Sequence, residues 1–133
     1  MEMGVVHLSA IIVAILFASI AIFQVLLSVG YPLGEYVMGG FHKVLPKKLR
    51  ILSILNAIIL LFMSLVFLIH INVLTTFHFL PTNILVCVIT LYLGLNTVIN
   101  LLSQSKKERF IMTPLSFIAF LLCLVVSLST LKL

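Results

Sequence analysis

The chain has 133 residues, of which 63% are hydrophobic and 8% charged, with a net charge of +5. A soluble domain is nearer half apolar and about a quarter charged, so this chain cannot cover itself with polar surface in water. A soluble enzyme or nucleic-acid binder is excluded, and one integral membrane domain over residues 1–133 is expected.

The first apolar stretch runs from Val5 to Val29 and exceeds the ~20 residues a bilayer requires. Glu2 stands before it where a signal peptide carries basic residues, and a signal core covers only about 7–15 residues. The stretch is therefore expected to stay as a helix. Ala10, Ala14, Ala18 and Ala21 continue to Gln24 and Ser28 at spacings of three and four, so they share one face.

Next comes "VGYPLGEYVMGGFHKVLP", Val29 to Pro46. Gly30, Gly34, Gly39 and Gly40 permit positive φ or close backbone approach, and Pro32 and Pro46 fix turns. Tyr31, Leu33, Tyr36, Val37, Met38 and Phe41 are too apolar for a simple tether. The expectation is an ordered loop that lies in the interface or dips into the mouth of a bundle. Glu35 and His42 have two readings: an acid–base pair able to bind a cation or move a proton, or an ion pair of Glu35 with Arg109 and an interfacial anchor at His42.

Pro46 opens the second stretch, Ile51 to Ile71, with Lys47, Lys48 and Arg50 in a basic first turn. Ser53, Asn56 or Ala57, and Ser64 form its small-residue face. Pro81, Thr82 and Asn83 announce the third, Asn83 to Leu102, with Asn83, Cys87, Thr90, Gly94 and Thr97. "SKKERF" follows. There Glu108 either pairs with Arg50 or Lys47 or is solvated, the commoner outcome for a loop carboxylate. The fourth runs from Pro114 to Leu131 with Thr113 as N-cap and Pro114 at the first helical position. Its small face is Ser116, Ala119, Cys123, Ser127 and Thr130.

Nothing alternates as a membrane barrel would. The fold class is therefore an all-α membrane protein, an antiparallel four-transmembrane-helix bundle held by close approach of small residues, with crossings near about +20°. Seven of the eight Lys and Arg fall in the first and third connections. By the positive-inside rule these face the cytoplasm and both termini face out. The basic collar suits anionic headgroups rather than nucleic acid.

Gln24, Asn56 and Asn96 each lie roughly six residues from the basic end of their helix, a depth of about 9 Å. Asn100 is one turn nearer that end. An amide without a partner in hydrocarbon is costly. The four amides are therefore either interhelical glue or the wall of a polar cup under the glycine-rich segment. Glu108 and Arg109 belong to the same end.

No span contains Asp, Glu, Lys or Arg. That argues against a proton-coupled exporter of the small multidrug type, which needs a carboxylate in its first helix. No phosphate-binding glycine loop, HExxH or GxSxG occurs. No cofactor or metal is expected, and His7, His70 and His78 lack tight ligand spacing. Cys87 and Cys123 lie at different depths and are expected to remain thiols.

"GYPLGEYVMGGFHKVLPKKLR" and "NLLSQSKKERFIMTP" together resemble segments of small bacterial four-span integral membrane proteins. Those share a Gly-x-Pro-x-Gly-Glu-Tyr stretch, a Gly-Gly-x-His element, Leu-Pro before the second helix and Ser-x-Ser-x-x-Glu-Arg before the fourth. The resemblance implies the four-span fold and a bacterial plasma membrane, and it carries no reaction. The expected function is a non-enzymatic accessory subunit or small binding or transport unit, alone, as a homo-oligomer or in a larger membrane complex. Its working face would be the cytoplasmic mouth. The alternatives are an enzyme acting on a lipid or isoprenoid headgroup through Glu35 and His42, or a small exporter.

Overall fold

The computed structural model describes residues 3–37, 40–71 and 81–131. Four long helices account for most of them: α1 (Met3–Ser28), α2 (Lys47–His70), α3 (Thr82–Leu101) and α4 (Thr113–Leu131). No strand occurs among the described residues. All four helices are long and apolar enough to cross a membrane, the last counted from Glu108, which marks a multi-pass membrane protein. They form an antiparallel bundle in which α1 packs most extensively on α2 and α3 on α4. Smaller seams join α1 to α4 and α2 to α3.

The small-residue faces turn inward. Ala10, Ala14, Ala21, Ser53, Ala57, Ser64, Thr90, Ser116, Ala119, Cys123 and Ser127 are all buried. Aliphatic residues such as Ile15, Ile22, Leu91, Leu95 and Ile99 cover the outside, where lipid would meet them. Two details differ from a bundle core of small residues as read above. Phe17 and Phe67 are fully buried as well, and their rings meet edge-on at 6.0 Å. The inward face of α3 is Val86, Ile89, Thr90, Leu93 and Asn100, so Asn83 is exposed and Cys87 only half-buried.

Hydroxyls tie the helices together. Ser64 donates to the Ala14 carbonyl at 2.9 Å. Thr90 and Ser127 share a hydrogen bond of 2.6 Å across α3 and α4. At the end away from the basic residues, His70 lies 3.0 Å from the Thr82 hydroxyl and 2.8 Å from that of Thr130. One imidazole thereby joins α2, α3 and α4. His78 lies outside the described residues.

The start of α4 corrects the sequence reading. Thr113 is no N-cap: it has helical angles of φ −64° and ψ −52°. The chain is already helical at Lys106, and a π turn over Glu108–Met112 leads into α4. The cause is Pro114. It cannot donate to the carbonyl four residues back, and its ring crowds that carbonyl. A wider π turn accommodates both defects without ending the helix. Glu108 therefore lies on a helix and not in a loop. It is buried, 7% exposed, which removes the solvated carboxylate, one of its two readings.

Candidate functional site

The segment after α1 folds into a lid. Tyr31 N–H donates to Leu26 O at 3.2 Å and Gly30 N–H to Leu27 O at 3.2 Å. This is the Schellman pair that ends a helix, and it needs the positive φ that Gly30 supplies at 102°. The chain then doubles back, with Gly34 N–H donating to Lys43 O at 2.9 Å. A side chain at position 34 would overlap the His42 carbonyl oxygen, so glycine is required by backbone contact. A 3₁₀ turn over Gly34–Tyr36 follows.

Leu27, Val37 and Leu45 are buried together, with Phe23, Leu33, Tyr36, Leu49 and Met112 against them. This small core holds the lid onto α1, α2 and the π turn. Arg50 clamps it from below: its Nε donates to Leu45 O at 2.8 Å, and its guanidinium lies against Gly30. The Lys107 ammonium sits over the Tyr36 ring, 5.6 Å from its centroid, which connects the third connection to the lid. Gly39 and the side chain of Glu35 lie outside the described residues, and the expected pairing of Glu35 with Arg109 falls there with them.

Beneath the lid is a cavity of about 430 Å³, within the range of about 300–1,000 Å³ usual for small-molecule sites. Every helix contributes to it. Gln24 comes from α1, Asn56 from α2, Asn96 and Asn100 from α3, Glu108 from the π turn and Ser116 from α4. Tyr36, Val37 and Phe41 of the lid form its roof, and Tyr92 of α3 part of its side. The structure thus brings together Gln24, Asn56, Asn96, Asn100 and Glu108.

It leaves out two other candidates. Arg109 is partly buried, with its guanidinium over the Phe110 ring at 5.1 Å. His42 is exposed. Neither is on the described wall. Tyr36, Tyr92 and Ser116 were not singled out as site residues. Tyr92 stands one turn before Asn96 and is the sole tyrosine within a span, a signal that was available.

The hydrogen bonding separates the amides. Asn100 is buried and donates to the Ser116 hydroxyl at 2.7 Å; it is interhelical glue. Gln24 Oε1 is buried with no hydrogen-bond partner. Asn56 and Asn96 make no side-chain hydrogen bond among the described residues. An amide offers two donors and two acceptor sites, and leaving a buried one unmet costs about 1–3 kcal/mol, which applies to Gln24 Oε1. With the half-buried Asn56 and Asn96 on the same cavity, the wall suits an occupant that hydrogen-bonds.

A second cavity of about 410 Å³ adjoins the first on the seam between α1 and α4. Leu16, Ser19, Phe23, Leu33 and Ile111 line it, together with Ile20, Tyr36, Met112 and Leu115, which also line the cup. Tyr36 is therefore a partition between the two, braced edge-on by Phe23 at 6.4 Å. No protein-family model, no curated protein and no solved structure matches the chain.

Proposed function

We propose that the protein is a non-enzymatic binding or transport unit of the bacterial plasma membrane, acting alone or as an accessory subunit, and that its working part is the lidded cup on the cytoplasmic side. The observation that carries this reading is the convergence of Gln24, Asn56 and Asn96, none with a side-chain hydrogen bond among the described residues, on one cavity. Glue residues would bond each other across helices, as Asn100 and Ser116 do. The cytoplasmic assignment rests on the basic connections flanking the lid.

Two measurements test it. In a protein with Cys87 and Cys123 replaced, Asn96→Cys should react with a membrane-impermeant thiol reagent in inside-out vesicles. Asn96→Leu should leave the melting temperature unchanged or raise it, because an unmet polar group is replaced by an apolar one. A cysteine at 96 that no aqueous reagent reaches, with a loss of stability in Asn96→Leu, would return the amides to a packing role.

A further inference from the structure

The cup and the groove beside it differ in what they leave unsatisfied. In the cup, Gln24, Asn56 and Asn96 present amide donors and acceptors that make no hydrogen bond among the described residues. Among the described residues lining the groove, Ser19 has the one polar side chain besides Tyr36, and its hydroxyl donates to the Ile15 carbonyl at 2.9 Å. The groove therefore asks for an apolar occupant and the cup for a hydrogen-bonding one. Ile20, Tyr36, Met112 and Leu115 belong to both walls, so the two spaces adjoin across a shared wall of side chains.

We infer that cup and groove form one site for a single-chain lipid with an uncharged, hydroxyl-bearing head such as glycerol or a sugar. The head enters the cup, and the first part of the chain lies along the α1–α4 seam. This rests on the reading of the cup as a binding site. The head chemistry follows from the wall. Hydroxyls donate and accept in the same way as the facing amides. The charged side chain on the described wall is an acid, Glu108, and no Lys, Arg or His is among the described lining residues, so a phosphate head would meet a carboxyl on that wall. The chain direction follows from the groove. Leu16 to Phe23 of α1 spans about 10 Å along the helix axis, leading from under Tyr36 toward the bilayer centre. The rest of the chain would remain among the lipids.

The test uses the intact protein in phosphatidylcholine nanodiscs. Three photoreactive probes share one alkyl chain with a mid-chain diazirine and differ in the head: glycerol, phosphate or amine. Adducts are located by peptide mass spectrometry. The glycerol probe should label residues 16–23 or 111–115 more than the other two. That labelling should fall about tenfold in Asn96→Leu, the worth of one hydrogen-bonded pair, and in Ser19→Trp, which fills the groove from an exposed position. It should persist in Leu95→Trp on the outer face of α3. Equal labelling in all variants would mean a chain resting on the outside, and preference for the phosphate or amine probe would overturn the head assignment. If Asn96→Cys is protected from aqueous thiol reagent by glycerol while no chain labels the groove, the lipid inference fails and the binding reading stands. If Asn96→Cys never reacts, both fail.

Discussion

Single residues decide whether the lid is a structure or a tether. Gly34 is the tightest position, because its backbone lies against the His42 and Lys43 carbonyls. Gly34→Ala should detach the lid and leave the bundle standing. In hydrogen exchange, the amides of Gly34 to Val37 should open roughly ten- to a hundredfold faster, about 1.4–2.8 kcal/mol of local stability. Helix amides of α1 and α2 should keep their rates. Uniform acceleration throughout the chain would show that lid and bundle unfold together. The glycines were legible as a group because their density is unusual in so apolar a chain. Which glycine serves which need was not. Gly30 answers a helix end and Gly34 a contact with a segment eight residues on, and only the folded path distinguishes the two. The amides were legible through their common depth. Their bonding was not, since Asn100 and Asn96 sit one turn apart and it is the folded path that puts Ser116 opposite Asn100.

At the scale of the element, the π turn is the feature that delivers Glu108 to the cup. The sequence reading placed a helix start at Thr113–Pro114, since proline at the first helical position is the usual meaning of that pair. Here the helix begins earlier and absorbs the proline by widening. Removing the cause should remove the effect. Pro114→Ala allows a regular α-helix through residues 108–116, which shifts the residues before it by about 100° around the axis. The protein should become more stable, and a cysteine at position 108 should lose its protection from aqueous reagent in the Pro114→Ala background. Unchanged protection would mean that packing against the lid, and not the proline, sets the turn. The four long helices were legible because runs of ~20 apolar residues have few alternatives in lipid. The burial of Phe17 and Phe67 was missed because a phenylalanine suits lipid and core equally well, and hydropathy does not distinguish them.

On the scale of the whole molecule, Lys43, Lys47, Lys48, Lys106 and Lys107 are all exposed and flank the lid. Single cysteines at Lys47 and Lys106 should be labelled by an impermeant reagent only in inside-out vesicles, and one at the exposed Asn83 only from the opposite side. Reversal of that pattern would place the lid on the outer face and remove the basis for a cytoplasmic site. The four-helix plan was readable from hydropathy alone, but the pairing of helices was not, because every span carries a similar small-residue face.

That pairing has a mechanical consequence. The broad contacts lie within each hairpin, α1 with α2 and α3 with α4, and the narrower ones lie between hairpins. The groove under Tyr36 runs along one of these narrower joints. A change in its width is thus a hinge-like displacement of one half of the protein against the other, in the plane on which the lateral pressure of a bilayer acts. The same joint opens sideways to the hydrocarbon, so a guest arriving from the surrounding leaflet would have a doorway that leaves the lid in place.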